Sequence, residues 1–284
     1  MEQSVKNVHW FPGHMKKATF KIEEQTKLVD FVIILLDSRI PLSSKSDLLE
    51  KIVKDKKKLY VLTKIDLSDE EMTAKWISKL NNDNDRAIAL NLKDNNSKNA
   101  AIKACEEFVN LKKDKYLKRG VKNIPVRAMV IGIPNVGKST FINMFASKKI
   151  AQTGNIPGVT KNLQWVKVGG FELLDVPGIL EPNYKDKNKA INLALIGSMK
   201  ESILPIHDLY NDAINFLRKF YLTALNERYN IDAAKLDNSE IATSVAMNRG
   251  YLGKGNEPII EKAELIILSE FRNGLITKFT LERI

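Results

Sequence analysis

Gly132-Ile133-Pro134-Asn135-Val136-Gly137-Lys138-Ser139-Thr140 decides how the rest of this chain is read. Two glycines enclose four residues and Lys-Ser follows, the spacing of a phosphate-binding loop. The run before it, Val126-Arg127-Ala128-Met129-Val130-Ile131, is apolar at every position but one and predicts a buried strand; residues 140–146 predict a helix. Strand, glycine loop and helix in succession are the context the pattern needs. Glycines let the backbone turn its N–H groups toward phosphates, and the helix start adds partial positive charge. In that frame Lys138 reaches the outer phosphates and the Ser139 hydroxyl sits on Mg²⁺. Asn135, Val136, Gly137 and Thr140 belong to the same cradle.

Composition sets the wider limits. The chain has 284 residues, enough for two domains of ordinary size, with 44% hydrophobic and 28% charged residues, as in soluble globular proteins. The longest apolar run, Phe31 to Leu36, is far short of the roughly 20 residues that cross a bilayer. Met1-Glu2-Gln3-Ser4 lacks the layout of a secretory signal, and Cys105 has no second cysteine to pair with, so a cytoplasmic setting is expected. The formal net charge is +11. Residues 205–284 are close to neutral, with ten basic and eleven acidic side chains, while residues 1–204 carry 35 basic against 23 acidic. Positive charge gathered in one part of the chain favours an anionic partner surface.

Upstream of the loop, residues 31–36 and 59–62 read as buried strands, 87–90 as a third, and 16–28, 44–53, 70–80 and 98–117 as helices. Such alternation predicts an α/β fold with a mostly parallel, doubly wound sheet. The second strand runs into Thr63-Lys64-Ile65-Asp66, and strand ends of this kind are where ligands bind in open α/β sheets. There Lys64 can lay its stem on a base, and the Asp66 carboxylate can accept from two N–H groups on one edge of guanine. Adenine lacks that donor pair, so Asp66 gives a reason to choose GTP over ATP. Taken alone, four residues of common types fit an ordinary strand end equally well.

Downstream, Gly154-Asn155-Ile156-Pro157-Gly158-Val159-Thr160 is a Pro/Gly loop long enough to bring the Thr160 hydroxyl to the metal. Residues 163–168 and 171–174 form two strands joined by Gly169-Gly170, a hairpin. It ends in Asp175-Val176-Pro177-Gly178, where Asp175 can hold Mg²⁺ through water and the Gly178 N–H can face the terminal phosphate. Past residue 188 the alternation stops, and 189–200, 207–228, 238–248 and 257–272 all have helical spacing. Two domains are expected, 1–204 and 205–284, divided at Pro205.

Phosphate loop, Thr loop, Asp-x-x-Gly and Thr-Lys-x-Asp are the parts of a GTPase, and their order is the informative fact. An ordinary GTPase begins with the phosphate loop and ends with the base-reading motif; here Thr63–Asp66 precedes Gly132, a circular permutation. The chain resembles the YlqF-type circularly permuted GTPases, the ribosome biogenesis GTPase A family. The resemblance rests on Trp10-Phe11-Pro12-Gly13-His14-Met15, Asp37-Ser38-Arg39-Ile40-Pro41, the four permuted motifs and the helical C-terminal part. It implies a circularly permuted P-loop GTPase domain followed by a small all-α domain that contacts ribosomal RNA. It also implies GTP hydrolysis tied to association with the maturing large ribosomal subunit. A protein monomeric off the ribosome is expected, and the short apolar runs predict no membrane partner.

Ras-like enzymes orient water with a Gln after Asp-x-x-Gly; Ile179 stands there and cannot. The resemblance points to His14 as the catalytic substitute, although a histidine capping its own Pro-Gly turn fits the residues as well. Asn135 matches GTPases that use K⁺ as an activating ion. Thr63 stands where Asn is usual, which removes one contact to guanine, and Asn91 and Leu92 occupy the loop expected to meet the guanine oxygen. Two other classes stay open: a nucleotide-gated RNA-binding scaffold with negligible turnover, and an ATP-dependent kinase, which leaves Asp66 and Asp175 without a role.

Overall fold

The computed structural model describes residues 13–121, 125–145, 164–176, 178–180, 184, 186–199 and 204–284, with the side chains of residues 13–18 and 164 outside that description. Thr160, the His14 side chain and the aromatic stretch 8–12 therefore lie outside the described residues.

Among the described residues six strands form one sheet: β1 (Phe31–Asp37), β2 (Lys57–Thr63), β3 (Arg86–Ala89), β4 (Val126–Gly132), β5 (Gln164–Val168) and β6 (Phe171–Asp175). Their order is β3-β2-β1-β4-β6-β5, parallel throughout except for the β5–β6 hairpin. β1 pairs on both sides, with Phe31 facing Lys57 and Ala128, and all seven of its residues are buried. A strand covered on both faces by helices needs no polar alternation, which is why Phe31–Leu36 reads as an unbroken apolar run. One face packs under α5 (Ser97–Leu117), around Phe31, Leu35, Phe108, Val130 and Phe141; the other buries Ile22, Val32, Ile34, Trp76 and Ile131.

The first helices are α1 (Gly13–Thr26), α2 (Pro41–Ser44), α3 (Asp47–Ile52) and α4 (Glu70–Leu80). The single helix expected over 44–53 is instead two pieces. Ser46 breaks it and caps α3, its Oγ accepting from the Leu49 N–H at 3.3 Å. The short α2 is held from far away: the Glu282 carboxylate accepts from the backbone N–H groups of Leu42 and Ser43.

After α5 come α6 (Lys138–Asn143), α7 (Lys187–Leu195), α8 (Ile206–Phe220), α9 (Leu222–Tyr229), α10 (Asn238–Asn248) and α11 (Ile260–Arg272). The helix expected over 207–228 breaks at Tyr221, whose backbone leaves the helical region at φ −141°, ψ 38°. Its apolar spacing runs on through the break, so periodicity alone could not mark it. The Tyr221 hydroxyl reaches back to Asp69 at 3.3 Å. The last helix starts at Ile260 rather than 257, because Pro258 sits in a β-bridge with Leu252.

The helical core, built on Tyr210, Ile214, Leu217, Ile241, Ile267, Phe271 and Phe279, also takes in Ala194 and Leu195 of α7. Residues after α11 then run back across the sheet end. Phe279 N–H donates to Leu67 O (3.0 Å), Leu281 N–H to Arg39 O (2.8 Å), and the Trp76 indole to Glu282 O (2.8 Å). No helix among the described residues is long and apolar enough to cross a membrane.

Candidate nucleotide site

The glycine loop lies at the carboxyl end of β4, as its sequence context requires. Asn135 takes a left-handed φ of 59° and Gly137 one of 104°, and Gly137 opens α6. A side chain at Gly137 would be strained at that φ, so glycine there follows from the turn itself. Lys138 is buried and folds over the loop, its Nζ donating to Ile133 O (2.7 Å) and Gly132 O (3.1 Å). Burial pushes the ammonium down to about 8, against the opposing pull of Asp175.

β6 brings Asp175 next to this loop, in register with Val130 of β4. Burial raises the Asp175 carboxyl to about 6, with Lys138 and a backbone N–H holding it lower than burial alone would. Its Oδ1 is buried with no hydrogen-bond partner among the described residues. An orphaned carboxylate oxygen beside Lys138, together with the half-buried hydroxyl of the next residue, Ser139, is oxygen-donor chemistry that suits Mg²⁺. Gly178 fits for a steric reason: a Cβ there would lie 2.5 Å from Lys138 Nζ and 3.0 Å from Pro134 N. Only a glycine lets this segment approach the loop so closely.

The Thr63–Asp66 stretch sits two strands away, at the end of β2. Thr63 ends β2 fully buried, and its hydroxyl donates to the Val136 carbonyl at 2.7 Å, with Leu36 O at 3.1 Å. This bond ties the two motifs together despite their reversed order. Thr63→Val keeps the shape but leaves the Val136 carbonyl unpaired, an expected loss of about 1–3 kcal/mol in urea unfolding. Lys64 takes a left-handed φ of 57°, and its Nζ meets Asp37 Oδ2 at 3.0 Å. Asp66 lies in the short helical turn Ile65–Leu67, paired with Lys93 at 2.7 Å. Asn91 accepts from the Ser97 hydroxyl through its carbonyl at 2.6 Å.

A cavity of about 580 Å³ joins these pieces, lined by Lys64, Asp66, Asn91, Leu92, Asn135, Val136, Gly137 and Thr140. Lys138, Asp175 and Gly178 form a separate cluster beyond the loop. The cavity wall also has residues that sequence reasoning missed: Arg39, Gly197, Ser198, Arg272 and Asn273. Arg39 carried a signal, a charge just past a buried strand. Arg272 and Asn273 carried none, since only the packing of α11 brings them here. Asn135 already has a partner in this wall, its Nδ2 donating to Gly197 O at 3.0 Å. Among the described residues no cluster of His, Cys, Asp and Glu forms a further metal site.

A mostly parallel sheet with Gly-x₄-Gly-Lys-Ser after β4 and Thr-Lys-x-Asp after β2 defines a circularly permuted P-loop GTPase fold. Residues 127–239 match a sequence family described as "50S ribosome-binding GTPase". "Ribosome biogenesis GTPase A" of Bacillus cereus is 41% identical over 97% of this chain and 93% of its own length. The chain belongs to the ribosome biogenesis GTPase A family. The protein of that name from Thermotoga maritima is 30% identical over 96% of this chain and 94% of its own. The crystal structure of GNP-bound YlqF from T. maritima has the same fold, with a TM-score of 0.66 and 24% identity, covering 94% of this chain and 98% of that one.

Proposed function

We propose that this chain binds GTP, hydrolyses it to GDP, and uses the nucleotide state to control its association with the maturing large ribosomal subunit. The observation that carries this reading is the cavity in which Asp66 and Lys64 face the glycine loop although the chain reaches them in the opposite order. Asp66 accepts from guanine, Lys64 lies along the base, and Asn91 and Leu92 close the edge. Thr63 fixes that group to the loop that holds the phosphates. Lys138 neutralises the outer phosphates, and the Gly178 N–H faces the terminal one.

Ser139, Asp175 and Thr160 would hold Mg²⁺, which when bound offsets charge on the transferred phosphoryl group. Asn135 has its Nδ2 engaged, which leaves Oδ1 as the atom for a K⁺ ion. Ile179 is buried and apolar, so no water is oriented from that position; His14 takes the role of water-positioning residue. Residues 205–284 form the unit that meets ribosomal RNA, while the excess of basic residues lies in 1–204. The protein works as a cytoplasmic monomer when off the ribosome.

The buried Ile179 also favours a second reading, a nucleotide-gated RNA-binding scaffold that turns over too slowly for hydrolysis to matter. Sedimentation with ribosomal particles tests the first. The protein is expected to travel with large-subunit precursors in a non-hydrolysable GTP analogue and to leave them in GDP. Equal retention in both nucleotides would sink nucleotide control. Single-turnover hydrolysis unchanged by those particles would favour the scaffold.

A further inference from the structure

Asp37 and Arg39 take no part in the roles above, yet they are the most deeply buried charged residues among those described, at 0% and 1% exposure. Charges are costly to bury unless every polar atom finds a partner, and here they do. Arg39 donates from Nε and Nη2 to the two Asp37 oxygens at 2.9 and 2.7 Å, and from Nη1 to the Arg272 carbonyl at 2.7 Å. Asp37 Oδ2 also takes Lys64 Nζ at 3.0 Å. Burial would raise the Asp37 carboxyl, but Arg39 and Lys64 outweigh it and hold it well below the usual carboxylate range. The result is an unbroken polar chain, Lys64–Asp37–Arg39–Arg272, from the base-reading turn to the last residue of α11.

A backbone clamp runs beside it. Phe279 N–H donates to Leu67, the residue after Asp66, and Leu281 N–H donates to Arg39 itself. The Phe279 ring lies under the Arg39 guanidinium, 6.0 Å from its carbon to the ring centroid. At Gly274 an added Cβ would come within 3.1 Å of Leu67 Cδ2, so the helical unit touches the base turn directly.

We propose that Arg39 is a positioning residue that sets Lys64 through Asp37 and carries base occupancy of the cavity to the helical unit. This rests on the base-reading roles of Lys64 and Asp66. A base lying along the Lys64 stem immobilises that side chain, whose ammonium then holds Asp37, Arg39 and the clamp over 274–283 in one arrangement. Guanine is common to GDP and GTP. This route therefore reports that the site is filled, whereas any route through Gly178 reports which nucleotide fills it. Coupling of this kind is reciprocal, so whatever fixes the helical unit also tightens nucleotide binding.

Hydrogen exchange on the full-length protein tests this, because the Phe279 and Leu281 amides are themselves the clamp donors. Calorimetry in parallel reports whether GDP binds. Saturating Mg-GDP and a non-hydrolysable GTP analogue should slow exchange over residues 275–281 equally, by about tenfold. Mg-pyrophosphate, which has no base, should not. Arg39→Lys keeps a cation beside Asp37 but cannot span both Asp37 and Arg272, and should lose the slowing while GDP still binds. Three results overturn the proposal: bound GDP without slowing, pyrophosphate acting like GDP, or slowing that survives Arg39→Lys. Should that variant not fold, the wild-type arms decide alone. If calorimetry finds no GDP binding, the base-reading roles fail first and this proposal falls with them.

Discussion

Asp66→Asn is expected to weaken GDP binding by about 10²- to 10³-fold and to let xanthosine diphosphate bind in its place. Guanine presents two N–H donors on the edge that meets residue 66, and a carboxylate accepts both. An amide accepts one and turns its own NH₂ toward the other. Charge-assisted hydrogen bonds contribute about 1.5–3 kcal/mol each, and every 1.4 kcal/mol is about tenfold in affinity. Xanthine has a carbonyl where guanine has the amino group, which suits the asparagine amide. The Lys93–Asp66 ion pair is lost too, but Lys93 is 77% exposed and such pairs contribute little. Calorimetric titration with both nucleotides checks the exchange of preference. An equal loss for the two would mean that residue 66 does not read the base.

Lys138→Met is expected to cut GTP hydrolysis by about 10²- to 10³-fold, the usual cost of removing one preorganised donor from developing charge. Single-turnover hydrolysis at saturating GTP measures it. The same variant should leave a mark on stability without nucleotide. Burial holds the Lys138 ammonium at about 8 against an unfolded value near 10.5, so the unfolded chain keeps its proton longer. The free protein therefore gains stability from this group as pH rises from about 8 to 10.5. Asp175, raised from 3.8 to about 6, acts the other way: its contribution falls as pH rises through that window. In Lys138→Met the gain above pH 8 should vanish, and the fall due to Asp175 should extend above 6 because its nearby cation is gone. Urea midpoints of wild type minus variant across pH isolate both effects. A flat difference curve would show that the two groups do not titrate as a buried, interacting pair.

Much of the fold was legible because its strands are buried on both faces. Runs such as Phe31–Leu36 and Val126–Ile131 stand out by composition alone, and helix α4 spans the 70–80 that its spacing predicts. The permuted order was legible as well, since it needs only the sequence positions of the motifs. What escaped reading was set by distant partners. α2 is capped by Glu282, and α8 stops at a tyrosine that leans on Asp69. The far wall of the cavity comes from residues 196–199 and from Arg272 and Asn273, none of which has a local pattern that marks a ligand site. Arg39 is instructive: its position after a strand was visible, but its fork onto Asp37 and Arg272 exists only once the helical unit has packed.

The place of β1 in the sheet has a consequence during synthesis. It leaves the ribosome before the other described strands, yet it lies inside the sheet, and its neighbour β4 begins only at Val126. At about 5–20 residues per second the nascent chain spends on the order of ten seconds with one side of β1 unpaired. An apolar strand with an open edge invites pairing with other chains. The permuted order thus gives the newborn protein an aggregation-prone interval that an unpermuted relative, which makes its phosphate-loop strand first, meets in a different form. Chaperone demand is expected to rise in variants that slow translation between residues 37 and 126.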